Sequence, residues 1–187
     1  RPGVRQGVHR PGGGGVSVVI VKDKKTADIN QLKEKAKEWT SVKAHQKDAG
    51  REWPYYSGKN HRILFEKYIE SDESAGGLAD YKFFCFNGKV VVVYVIADRV
   101  LSEGAGLGIY TSNFERLPVN RLDERILERT ISTPENYEEL KKVAERLSED
   151  FPEVRIDLYD ENGKIVFGEM TFFDGSGYMK FSPDQFD

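Results

Sequence analysis

One stretch constrains this chain more than any other: Val154–Gly177, which reads VRIDLYDENGKIVFGEMTFFDGSG. It reads as two strands, Val154–Tyr159 and Lys164–Phe172, joined by a turn at Glu161-Asn162-Gly163, since Asn-Gly supplies the positive φ angles that a tight hairpin requires. Asp157 and Glu169 are the carboxylates in the middles of these otherwise mostly apolar strands. An ionised carboxylate in apolar surroundings needs a partner, and a cation is a natural candidate.

Register decides whether the two acids meet. With a two-residue Asn-Gly loop, paired residue numbers sum to 325 and Asp157 and Glu169 fall on opposite faces. A three-residue loop with Gly163 left-handed gives a sum of 326 and sets Asp157 directly opposite Glu169. The expectation is the second arrangement. Two carboxylates then project from one face, as Mg²⁺ with bound phosphates requires: one or two protein oxygens, with phosphates and water completing the octahedron. The other reading is an ordinary hairpin with both acids at a wet edge, and spacing alone favours it.

The chain has 187 residues, enough to bury a real core as one domain or two small lobes. A net charge of −3 gives no general attraction to nucleic acid or to an anionic membrane. The one cysteine, Cys85, excludes an internal disulfide framework and suits a reducing, cytoplasmic setting. No apolar run approaches the roughly 20 residues of a membrane-spanning helix. His9, His45 and His61 are scattered without metal-ligand spacing, which disfavours zinc.

Arg1–Gly15 carries six glycines and no periodicity, and reads as a flexible arm ending in a Gly-rich loop at Gly12, Gly13, Gly14 and Gly15. Bare backbone N–H groups in such a loop can approach phosphate closely, although a disordered terminus has the same composition. A short apolar strand, Val16–Val21, follows. Asp28–Trp39 shows helical spacing at Ile29, Leu32, Ala36 and Trp39. Arg62–Glu70 reads as a strand. Asp80–Phe86 and Lys89–Ala97 form an apolar hairpin about Asn87-Gly88, which exits through Asp98-Arg99. Val100–Ser132 is poorly patterned, with Leu122–Leu127 as a helical turn. Thr133 caps the next helix, Pro134 sits at its first position, and Tyr137, Leu140, Val143, Ala144, Leu147 and Phe151 line one face. The closing segment from Asp174 reads as loop.

The order of these pieces resembles an ATP-grasp domain, and the closer resemblance is to the TupA-like ATP-grasp family, linked to teichuronopeptide and other cell-surface polysaccharide biosynthesis. The stretches that carry it are VVIVKDK (Val18–Lys24), REWPYY (Arg51–Tyr56), ADYKFFCFNGK (Ala79–Lys89), the long run from Pro134 to Tyr178, and KFSPDQFD (Lys180–Asp187). The resemblance implies an α+β fold of two lobes, residues 16–70 and 71–187, the larger an antiparallel sheet with covering helices. It implies ATP and Mg²⁺ as cofactors. Asp157 and Glu169 would hold the metal, and Lys82 and Arg99 would face the nucleotide phosphates or an acyl-phosphate. Arg155, two residues from Asp157 and so on its face, would lie near the acceptor. These three cations are the expected catalytic residues. Glu66, Lys67, Tyr68 and Ile69 would lie at the hinge that reads the adenine edge, with Gly12–Gly15 over the phosphates. Thr171 stands where many ATP-grasp enzymes carry a metal-binding Asn.

Family members place a strand ending in lysine, then an NHGSG-like loop, before VIIVKDK. VHRPGGGGVS departs from that pattern, so the upstream strand is expected to be missing and the N-terminal part incomplete. The expected activity is an ATP- and Mg²⁺-dependent carboxylate–amine ligase acting on a cell-surface polymer or its precursor. The alternatives are a glycosyltransferase-type biosynthesis protein, after the family's frequent label, or a truncated and inactive nucleotide-binding or interaction domain.

Overall fold

Strict alternation in one pair of hairpins builds the larger part of the molecule. The computed structural model describes residues 6–9, 18–21, 23–41, 62–67, 69, 78–100, 104–172 and 174–184, without the side chains of 6–9, 99, 100, 104 and 176. These fall into two compact units, Arg1–Ile69 and Glu70–Asp187. The mixed α and β content and the mostly antiparallel sheets match the expected α+β class.

The first unit holds a three-stranded antiparallel sheet of β1 (Gln6–His9), β2 (Val18–Val21) and β3 (Leu64–Lys67), in the order β2-β1-β3. Gln6–His9, expected as part of a flexible arm, is therefore the central strand, and the strand upstream of the glycines is present. A four-residue run of Gln-Gly-Val-His has no readable alternation. Ladders on both sides, Val8 opposite Val19 and opposite Phe65, satisfy its backbone instead. Helix α1 (Ile29–Trp39) starts where Asp28 caps it, its Oδ1 accepting from Asn30 N at 2.9 Å and Gln31 N at 3.0 Å.

The second unit is built on a six-stranded sheet. Its strands are β4 (Asp80–Phe86), β5 (Lys89–Val100), β6 (Gly104–Thr111), β8 (Arg125–Ile126), β9 (Glu153–Glu161) and β10 (Lys164–Thr171), in the order β10-β9-β4-β5-β6-β8. Among the described residues only the β6–β8 pair is parallel. A two-stranded ribbon joins β7 (Asn120–Arg121) to β11 (Phe181–Ser182). Helix α2 (Tyr137–Ser148) packs on β4, β5 and β9. Odd-numbered Tyr81, Phe83 and Cys85 and even-numbered Val154, Ile156 and Leu158 face it, with Tyr137, Leu140 and Ala144 opposite. Each Val, Leu, Ile or Phe among them stabilises the fold by roughly 1.5–3 kcal/mol when taken from water.

The segment from Asp174, expected as loop, holds a 3₁₀ turn and β11, and three further expected elements differ. Helix α2 begins at Tyr137 rather than at Pro134, because Tyr137 N bonds Pro134 O in a preceding turn and Asn136 takes the cap position. Leu122–Leu127 is not helical. It runs from a turn into β8, where Leu107 pairs with Ile126. Residues 104–111 form a full strand that composition concealed. Its glycines are required by close neighbours: a Cβ on Gly106 would lie 2.9 Å from Leu127 Cα, and one on Gly108 would collide with the Arg116 guanidinium.

Candidate active site

The second face of the six-stranded sheet carries charge where the first carries apolar side chains. The register sets up a continuous row, Tyr94–Lys82–Asp157–Glu169, across β5, β4, β9 and β10. A neighbouring row runs Phe84–Arg155–Thr171. Period-two alternation that buries Tyr81 and Phe83 under α2 therefore turns Asp80 and Lys82 to the other side.

Asp157 does stand opposite Glu169, but not for the expected reason. The hairpin loop has two residues, Asn162 at φ 54° and Gly163 at φ 84°, and the first four pairs keep the 325 register. A β-bulge between Phe167 and Glu169 then absorbs Gly168 and shifts the register by one. Ile165 packs toward the core from before the bulge and Met170 from after it, so the inward parity changes from odd to even at Gly168. Without the bulge Glu169 would share the side of Ile165.

Arg155 organises the charges. Its Nε donates to Asp157 Oδ1 at 2.7 Å and one terminal nitrogen, Nη2, to Asp157 Oδ2 at 2.8 Å, a two-pronged contact. The same Nη2 reaches Glu169 Oε1 at 3.2 Å, and Nη1 donates to Asp174 Oδ1. Burial alone would lower the pKa of this guanidinium, but the Asp157 hydrogen bonds and the charges of Asp157, Asp174 and Glu169 hold it above the ordinary arginine value. Lys82 donates to Asp157 Oδ2 and lies 2.9 Å from Asp80 Oδ2. Thr171 donates to Glu169 Oε1 at 2.7 Å, so in this arrangement it orients the carboxylate. Beyond Asp174, Arg121 pairs with Asp123 through two contacts at 2.7 and 2.9 Å. Tyr94 lies beneath this network, its phenol pushed up by burial and by the Asp174 charge against the opposing pull of Arg121.

Three cations, Lys82, Arg155 and Arg121, thus meet five carboxylates: Asp80, Asp157, Glu169, Asp174 and Asp123. The formal charge of the cluster is −2. Hard oxygen donors in negative excess suit a divalent cation held by one or two carboxylates. Asp157 is 2% exposed and bound to two cations, whereas the Glu169 side chain is 56% exposed, so Glu169 is the carboxylate of the pair that is open to solvent. No cluster of three His, Cys, Asp or Glu able to hold a metal occurs among the described residues. A magnesium ion carried on phosphates does not require one.

This chain matches the TupA-like ATPgrasp family model over residues 5–187. The chain belongs to the TupA-like ATP-grasp family. The match runs through the glycine-rich segment as well as the charged face. No curated protein and no solved structure gives a significant match.

For an ATP-grasp chain, the expected site residues divide between the two units. Lys82, Arg155, Asp157 and Glu169 come together on one face of the second. Arg99 belongs to β5, beside the irregularity between Ala97 and Val100, and its side chain lies outside the described residues. Glu66 and Lys67 end β3 in the first unit, opposite Gly7 and Gln6, and Ile69 follows. Tyr68 and Gly12–Gly15 lie outside the described residues, the glycines within the connection between the paired strands β1 and β2. A cavity of about 280 Å³ in the first unit is lined by Val19, Val21, Asp23, Asp28 and Gln31 among others, and not by Glu66, Lys67 or Ile69. Sequence reasoning missed Asp80, Arg121 and Asp174. The alternation that selected Lys82 also selects Asp80, but nothing local joins Arg121 and Asp174 to residues 34 positions from Arg121 or on another strand.

Proposed function

We propose that this protein is an ATP- and Mg²⁺-dependent carboxylate–amine ligase acting on a cell-surface polymer or its precursor. The observation that carries this reading is the placement of Asp157 opposite Glu169, with Arg155 and Lys82 on the same face. Bound MgATP supplies the phosphoryl group that activates a substrate carboxylate and the metal charge that steadies its transfer. Glu169, held by Thr171 and Arg155, is the first ligand for the ion, and Asp157 backs it from the buried side. Arg155 and Lys82 provide fixed positive charge beside the reacting phosphate and carboxylate oxygens, where charge develops during transfer. Their anchoring by Asp157, Asp80 and Asp174 means that they need little reorganisation when substrate arrives. Glu66, Lys67, Tyr68 and Ile69 read the adenine edge in this proposal, Gly12–Gly15 cover the phosphates, and Arg99 adds a further phosphate contact.

Calorimetric titration of ATP with and without Mg²⁺ tests the reading. Mg²⁺-dependent binding that is lost in Asp157→Asn and Glu169→Gln supports it. Binding unchanged in both folded variants would sink it, as would turnover of a nucleotide sugar that ignores ATP.

A further inference from the structure

The ion network runs past the Asp157–Glu169 pair into a segment that the ligase reading leaves unused. Asp174 opens the short 3₁₀ turn Asp174–Gly177 after β10. Its Oδ1 accepts from Arg155, while its Oδ2 is buried, accepts no hydrogen bond, and lies 3.6 Å from an Arg121 terminal nitrogen. The side chains of Asp174 and Arg155 are each 10% exposed and that of Arg121 is 15% exposed. A carboxylate so buried is costly unless opposite charges flank it, and here two guanidinium groups do. Burial opposes the charge of Arg121 as well, and the Asp123 hydrogen bonds with the Asp123 and Asp174 charges restore it and raise its pKa. Arg121 is itself fixed by pairing with Phe181 between β7 and β11.

Arg155 therefore has two groups of anionic partners that pull on different edges of one planar guanidinium. Nε and Nη2 point to Asp157, Nη1 points to Asp174, and the contact to Glu169 at 3.2 Å is longer than either contact to Asp157. That longest contact lies on the solvent side, where Glu169 is exposed. Were the Asp174 charge absent, Nη1 would lose its anion, and Glu169 would be the remaining carboxylate able to draw the guanidinium outward. An incoming cation would then have to displace arginine from its own ligand.

We propose that Asp174 is a positioning residue that holds Arg155 back from Glu169 and so keeps Glu169 available to a divalent cation. The proposal rests on the reading of Asp157 and Glu169 as the metal pair. It predicts opposite signs for Asp174 and for its second partner, Arg121. Removing the Asp174 charge weakens cation binding although Asp174 is not itself a ligand. Removing Asp174's other partner, Arg121, leaves Asp174 to Arg155 alone and strengthens it.

The test is Mn²⁺ titration followed by water-proton relaxation, with and without ATP, since Mn²⁺ takes the same oxygen ligands. The proteins are the full chain, Asp174→Asn, Asp123→Asn and Arg121→Gln, each checked for folding by circular dichroism. Asp174→Asn should weaken Mn²⁺ binding about tenfold or more, the size expected when a residue that orients a metal ligand is lost. Asp123→Asn makes the same charge change one link farther out, on an exposed side chain, and should alter binding by less than about twofold. Equal weakening by Asp174→Asn and Asp123→Asn would reduce the effect to general field and overturn the proposal. No weakening in folded Asp174→Asn would overturn it while leaving the metal reading intact. Absence of Mn²⁺ binding by the unaltered chain, with or without ATP, would overturn the metal reading and this inference with it. Should Asp174→Asn fail to fold, Arg121→Gln decides: binding tightened by clearly more than the change seen in Asp123→Asn supports the relay, and tightening no larger than that, or unchanged or weaker binding, overturns it.

Discussion

The two faces of the six-stranded sheet are made by the same strands and solve opposite problems. Toward α2, Tyr81, Phe83, Val93, Ile156, Leu158 and Leu140 bury apolar surface against one another, and their contacts need only shape. On the other face, Phe84, Tyr94, Leu107, Ile109 and Phe181 form a second apolar cluster beside the ionic network of Arg155. Charges on that face are tolerated because each buried ion meets an opposite one, not because burying ions stabilises a sheet. The difference teaches that one period-two pattern can give one side an apolar core and the other a charge-dense network set beside a smaller apolar cluster. Substitutions on the first face should therefore act on unfolding, and those around the bulge on ligand binding.

The largest separation should come from Phe83→Ala, which empties a fully buried position facing Ile156 and Tyr137. It should destabilise the second unit by about 3–5 kcal/mol in urea unfolding. Nucleotide affinity measured below the transition should change little, and an equal loss of affinity would break the comparison. Alkaline pH probes the same face. Burial, aided by the Asp160 charge, pushes the Tyr81 phenol up from 10.0 to about 12. The unfolded chain ionises at the ordinary value and so binds fewer protons above it. Stability is therefore fully present below pH 10 and falls as pH rises toward about 12, by roughly 2–3 kcal/mol for this group. The tyrosinate absorbance that is missing from Tyr81→Phe should appear together with unfolding by circular dichroism; that increment forming in a folded protein would contradict it.

Gly168→Ala tests the bulge. The added methyl would sit 3.0 Å from both Asp157 O and the Tyr159 ring, tight enough to force a shift. A cost of about 1–3 kcal/mol is expected, with a disproportionate loss of Mg²⁺-dependent ATP binding because Glu169 leaves its register. Affinity that survives intact would separate the bulge from the site. The smallest effect belongs to Gly163→Ala. Nothing lies within 4 Å of the new methyl, so only the positive φ resists it, at about 1 kcal/mol. Thermal denaturation should register that cost while ATP titrations remain unchanged.

Much of this was legible locally. The Asn-Gly turns, the alternation of β4 and β9 and the apolar stripe of α2 all depend on neighbours within a few residues. The bulge also left a trace, since the inward apolar positions run 165, then 170, with a glycine at 168. A loop of three residues was the wrong way to reach the right pairing, because both devices shift a register by one. Strand β6 was hidden because its glycines answer to Leu127 and Arg116, which approach it from later in the chain.

The sequence by itself determined which residues alternate to each face and that Asp157 and Glu169 could share one, because turn chemistry and pleat are local properties. Only the tertiary structure decided that Lys82 lies against Asp157, that Gln6–His9 is a central strand, and that Arg155 is divided between Glu169 and Asp174. Those contacts join strands and turns far apart in the chain, and a charge shows its partner only when the fold has brought the two together.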